Sequence, residues 1–181
     1  MIASLDELYH SELFFLPVMD ENARLVGLEI IATFASEDGA VRMPTELVAP
    51  RLSVEEQYCL FVEKLALLET CQHFFIQHKL IAWLNLPPAI SDLLLDSELF
   101  SRAARFPFLE LAINENYPGL NQGKNNETLA NLAMHFPLML ANFGAGEAST
   151  KAIFDGLFKR VIQGGLWPPV PVSQLIKLVQ R

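Results

Sequence analysis

The stretch Leu25-Val26-Gly27-Leu28-Glu29-Ile30-Ile31-Ala32-Thr33-Phe34 decides how this chain is read. It is rich in Leu, Ile and Val, which favours an extended strand. The apolar run Leu13 to Val18 precedes it, and Asp20-Glu21-Asn22 between the two supplies turn chemistry. The pair therefore predicts a hairpin, broken on its far side by Ser36-Glu37-Asp38-Gly39.

Working outward, Ser53-Val54-Glu55-Glu56 has the form of a capping box. Val54, Tyr58, Phe61, Val62, Leu65 and Leu68 follow at helical spacing and make a core-facing stripe. Leu80 to Leu86 reads as a buried strand that ends at Pro87-Pro88, and Pro88 to Leu95 starts a short helix. Phe108 to Ile113 is the next strand. Asn125 or Asn126 caps a helix through Leu129, Leu132 and Ala133. Leu138 to Phe143 is a further strand, followed by a βα turn at Gly144-Ala145-Gly146. Strands alternating with helices predict parallel βα units in one domain over residues 1–181.

Composition narrows the functions open to such a domain. The chain is 51% hydrophobic with 19% charged residues, enough for a large core or an adhesive surface. No apolar run reaches the length of a membrane span, and no basic region precedes an apolar one at the N-terminus. The net charge of -8 disfavours direct contact with nucleic acid and suits a basic protein partner. Cys59 and Cys71 are too few for a metal knuckle or a disulfide framework, and are expected as reduced, mostly buried thiols. His73 and His78 have neither zinc-knuckle spacing nor the i, i+4 spacing of a helical pair. Trp167-Pro168-Pro169-Val170-Pro171 reads as a rigid structural connection.

Taken in order, these pieces resemble the EAL-domain family, whose catalytic members hydrolyse cyclic di-GMP on a TIM-like barrel. Gly27-Leu28-Glu29-Ile30-Ile31 is similar to G-x-E-A-L, and Phe15-Leu16-Pro17-Val18 to Y-Q-P-I. Ala82-Trp83-Leu84-Asn85-Leu86-Pro87-Pro88 is similar to V-N-L-S-P, and Leu111-Ala112-Ile113-Asn114-Glu115-Asn116 to L-E-I-T-E-S. Ala141-Asn142-Phe143-Gly144-Ala145-Gly146 stands at D-D-F-G-T-G, Phe154-Asp155-Gly156-Leu157-Phe158 at I-D-x-x-F, and Gln163-Gly164-Gly165-Leu166-Trp167-Pro168 at Q-G-Y-x-x-x-P. The resemblance implies that Glu29, Asn85, Glu115 and Asp155 are relics of the family's site, with Glu29 and Asp155 on inward-facing strand ends. Other positions have lost the required chemistry. Ala112, Ala141 and Asn142 replace metal-binding carboxylates, and Ile153 replaces the Lys that orients water. Thr33 replaces an Arg that grips phosphate, and Leu16 a Gln that contacts substrate.

Two-metal hydrolysis needs anionic oxygens to hold a pair of cations about 4 Å apart. The deficits here fall on metal, nucleophile and substrate together, so no catalytic residue, metal or cofactor is expected. Roughly fifty residues, several ordinary βα elements, are also missing between Phe158 and Gln163. The fold expected is therefore an α/β, EAL-type TIM-like barrel, shortened or incomplete in its C-terminal half. The resemblance is nearest to the family's anti-activator branch. It implies a cytoplasmic, non-enzymatic repressor of flagellar genes that binds the activator FlhDC through its FlhD subunit and blocks DNA binding. A non-catalytic cyclic di-GMP-binding effector is the alternative, although cyclic di-GMP binding is not expected with Thr33 and Leu16 in place.

Overall fold

The computed structural model describes residues 1–4, 8–20, 22–143, 150–163 and 170–171. A short strand β1 (Ile2–Ser4) leads into the expected hairpin of β2 (Leu8–Met19) and β3 (Leu25–Ser36). Asp20 shapes the turn, because its Oδ1 accepts from the backbone N–H of Asn22 at 2.8 Å and of Arg24 at 2.9 Å. The register sets Leu16 opposite Glu29 and Phe14 opposite Ile31. β3 runs beyond Phe34 because β4 (Arg42–Pro44) pairs with its far end, from Thr33 to Ala35.

After α1 (Thr45–Val48) and a 3₁₀ turn at Ala49–Arg51 comes the long helix α2 (Val54–His78). Its capping box forms as expected. The Glu56 N–H donates to Ser53 Oγ at 3.2 Å, and Ser53 N–H donates to Glu56 Oε2 at 2.8 Å. The helix continues past Leu68 to His78 and stops where Lys79 turns left-handed at φ +52°. Its last turns are held from outside: the Phe75 ring stacks on Phe108 with centroids 4.9 Å apart. Cys59 is exposed and Cys71 half-buried, both within α2, so the expectation of mostly buried thiols is corrected. The apolar stripe turns other positions toward the sheet.

The remaining elements are β5 (Ile81–Asn85), α3 (Pro88–Leu95), α4 (Glu98–Ala104), β6 (Leu109–Asn114), a 3₁₀ segment (Leu120–Asn125), α5 (Glu127–His135), β7 (Leu138–Phe143), α6 (Thr150–Phe154), β8 (Arg160–Gln163) and β9 (Val170–Pro171). Asn126 caps α5, accepting from the Leu129 N–H at 3.1 Å. The sheet runs β1-β2-β3-β5-β6-β7-β8-β9, with β4 beside β3. Pairing is parallel from β3 through β8 and antiparallel at both ends. Among the described residues the sheet does not return to its first strands, which agrees with a barrel shortened or incomplete in its C-terminal half.

Alternate strand residues serve two cores. Ile30, Leu84, Leu111 and Leu140 pack outward against Phe61, Leu65 and the other helices in the main cluster. Val18, Trp83, Ala112, Met139 and Ile162 form a smaller inner cluster. Trp83 Nε1 donates to Glu110 Oε2 at 2.9 Å, and Arg160 Nε donates to Glu110 Oε1 and Oε2 at 3.1 and 3.2 Å. These bonds tie β5, β6 and β8 together across the inside of the sheet.

Trp83 also explains Gly27. A Cβ built on Gly27 would lie 2.6 Å from Trp83 Cζ3 and would press on the Ile81 carbonyl oxygen. Backbone cannot yield as a flexible side chain does, so only glycine fits. Gly27→Ala should cost at least about 2 kcal/mol in equilibrium urea unfolding. An unchanged midpoint would refute this close packing.

Candidate functional site at the strand ends

Leu16 and Glu29 face each other across the β2–β3 pair, and Glu29 is level with Trp83 on β5. Thr33 lies further along β3, between Glu12 on β2 and Pro44 on β4. Asn85 ends β5 and pairs with Ala112, which pairs with Met139, which pairs with Arg160. Ala141 pairs with Asn114, and the Glu115 N–H donates to the Ala141 carbonyl at 3.1 Å. The sheet thus gathers Leu16, Glu29, Asn85, Ala112, Glu115 and Ala141 on neighbouring strands. Asn142 sits where the β7–β8 register shifts, with a left-handed φ of +59°. Asn tolerates that conformation better than most residues do.

Asp155 and Ile153 are not part of this gathering. The expectation of a strand end for Asp155 is corrected: it follows α6 directly and packs against the 3₁₀ segment. Its Oδ2 accepts from the Lys124 N–H at 2.9 Å and from Lys151 Nζ at 2.7 Å. Those two donors, the Lys151 side chain first, hold its carboxyl below the usual carboxylate range. Gly123, at φ +56°, leaves room for the carboxylate. Ile153 is buried within α6 in the main core. The residues at I-D-x-x-F therefore make a helix end and the turn after it.

The rung Asn85–Ala112–Met139–Arg160 sets out an amide, a methyl, a thioether and a guanidinium. Hard divalent cations need several oxygen ligands, usually anionic. The donor set does not fit the family's metal pair, and Arg160 adds a positive charge to the same row. Among the described residues, no three His, Cys, Asp or Glu side chains are gathered so as to hold a metal ion. His73 and His78 lie on α2, away from these strand ends in the fold.

Two residues with a bearing on the site were missed in the sequence. Lys64, a charge inside the apolar stripe of α2, is buried and interacts with Glu29. The interruption of the stripe at Lys64 was the available signal. Glu110, only 3% exposed, carried no such signal, because its partners Trp83 and Arg160 are distant in sequence. The Gly144-Ala145-Gly146 turn and residues 167–169 of the proline-rich connection lie outside the described residues.

Burial lowers the Lys64 ammonium to a pKa of about 8, and the Glu29 charge pulls it partly back. Unfolded, the group titrates near ~10.4. Between these values the unfolded chain binds more protons. Stability from this group therefore rises as pH climbs from about 8 to ~10.4, and is lost as pH falls through about 8. Lys64→Met should raise the unfolding midpoint at pH 7 and flatten the rise above pH 8. A variant that follows pH as the parent does would contradict this.

Thr33 Oγ1 is buried with no hydrogen-bond partner among the described residues. Thr33→Val keeps the shape and removes the unsatisfied group. It should stabilise the fold by about 1 kcal/mol in urea unfolding, whereas a loss of that size would reveal a partner for the hydroxyl.

No family model matches the chain. It aligns with the anti-FlhC(2)FlhD(4) factor YdiV of Salmonella typhimurium at 76% identity over 237 positions, covering 100% of both chains. It aligns with the putative anti-FlhC(2)FlhD(4) factor YdiV of Escherichia coli K12 at 41% over 233 positions, 98% of each. Since this chain has 181 residues, at least 56 of the 237 positions (237 less 181) have no residue here. Identity counted over 237 positions cannot exceed 181 in 237, and 76% is that ceiling. The two sequences are therefore almost the same wherever both have residues. The crystal structure of EAL-like domain protein YdiV superposes with a TM-score of 0.78 at 41% identity, covering 96% of this chain and 97% of that one. The PaMucR phosphodiesterase in its c-di-GMP complex shares the fold, with a TM-score of 0.62 at 15% identity, 85% of this chain and 66% of that one. The chain belongs to the YdiV family of EAL-like anti-FlhC(2)FlhD(4) factors.

Proposed function

We propose that this chain is a non-enzymatic regulator that binds FlhDC, contacts it through FlhD, and keeps it from promoter DNA, so that flagellar genes are repressed. The observation that carries the reading is the near-identity, at every shared position, with a protein named as an anti-FlhC(2)FlhD(4) factor. The strand-end chemistry supports it, since Ala112, Ala141 and Asn142 remove carboxylates that a pair of catalytic cations needs. The net charge of -8 favours contact with a protein over contact with phosphate. No described helix is long and apolar enough to cross a membrane, and the reading places the chain in the cytoplasm beside its partner. Cyclic di-GMP is not its ligand, because Leu16 and Thr33 offer no grip on base or phosphate.

A gel-retardation titration tests this. FlhDC bound to a flagellar promoter fragment should be released as the chain is added, and the chain alone should not retard the DNA. Glu29→Ala should inhibit as well as the parent does. Retardation by FlhDC that stays constant in the presence of a folded, monodisperse chain would defeat the proposal.

A further inference from the structure

Two observations about β2 are independent of any regulatory role. β1 covers its outer edge only from Leu8 to His10, and Ser11 N–H donates to the Met1 carbonyl. From Glu12 to Met19 no strand pairs on that edge among the described residues. In the same stretch Phe14 is 42% exposed and Leu16 40%, while Val18, on the same face, is fully buried against the inner cluster. An unpaired strand edge beside exposed apolar side chains is a template for another strand.

The comparison with the Salmonella relative says what belongs there. At least 56 positions of that protein have no residue here, while nearly all the others are unchanged. The motif spacing puts the loss between Phe158 and Gln163, which is where β8 now stands. β8 is at the far end of the parallel run whose other end is the β2–β3 hairpin. β9 pairs with the outer edge of β8 at Arg160 and Val161, and chain inserted there would extend this end of the sheet round toward β2. The surface it would cover has kept its apolar residues.

We infer that the seam between the β8–β9 end of the sheet and β2 is an orphaned interface that accepts, in trans, the segment that the relative carries and this chain lacks. The occupant is a βα polypeptide that pairs its backbone with Glu12–Met19 and packs apolar side chains on Phe14 and Leu16. Pro17 leaves that edge short of one donor, which an edge position tolerates.

The test is to co-express this full chain with a tagged polypeptide comprising the Salmonella segment between the equivalents of Phe158 and Gln163. Co-purification and size-exclusion should give a one-to-one complex. Amide hydrogen exchange across Glu12–Met19 should slow by about tenfold or more on binding. Phe14→Glu with Leu16→Glu, both at exposed positions, should leave the circular dichroism of the chain unchanged and abolish the complex. Three outcomes would overturn the inference: no complex with a folded chain, a complex indifferent to the double substitution, or exchange at Glu12–Met19 already slow in the free chain. Self-association of the chain that the segment does not displace would also overturn it, by assigning the seam to a second copy.

Discussion

The buried Glu110 carboxylate is the point on which the inside of this sheet depends. A charge buried without partners would cost several kcal/mol, and removing one partner from such a group typically costs about 3–5 kcal/mol. Here the Trp83 N–H of β5 and the Arg160 guanidinium of β8 both meet it, and Lys159 Nζ stands 3.9 Å away. The bonds fix Trp83, whose ring in turn requires glycine at 27. They also anchor β8, the strand beside which the relatives' additional chain would begin. The sheet keeps its order toward this end because a charge there has to be satisfied.

The rest of the fold is arranged so that the strand ends carry little of the stability. The main core is on the outer face, where strand residues such as Leu84, Leu111 and Leu140 meet the helices. Asn85 and Asn142 are exposed, and Glu29 and Glu115 only half-buried. Carboxylates can be exchanged for Ala112 or Ala141 at such places without opening the main core. Ala112 and Met139 even add to the inner cluster. A scaffold with this division of labour can lose its hydrolytic chemistry and retain the surface by which it binds.

Much of this was legible in the sequence, for local reasons. The hairpin declares itself through two apolar runs and Asp20, α2 through its capping box, and α3 through Pro88 at its start. Glu29, Asn85 and Ala112 reach neighbouring strands because each motif sits in a strand whose pairing is set by the βα order. Asp155 was misplaced because a short I-D-x-x-F likeness does not distinguish a strand from a helix end. That choice is made by Lys124 and Lys151, two contacts outside the motif. The length of α2 depends on Phe75 meeting Phe108, and the role of Glu110 on Trp83 and Arg160. No local pattern contains these pairs. α4 is not legible in the sequence although Ser97 caps it, accepting from the Leu99 N–H at 3.2 Å, because its stretch is short and weakly patterned.

The central claim is that the site has lost its chemistry while the fold has kept its frame. The most direct measurement is turnover of cyclic di-GMP by the purified, folded chain with magnesium or manganese, following the linear product chromatographically. The account predicts no product above the buffer blank with either metal. Product formation that follows the protein through purification and disappears in Glu29→Ala would contradict it, because Glu29 would then be holding a working metal despite Ala112, Ala141 and Asn142.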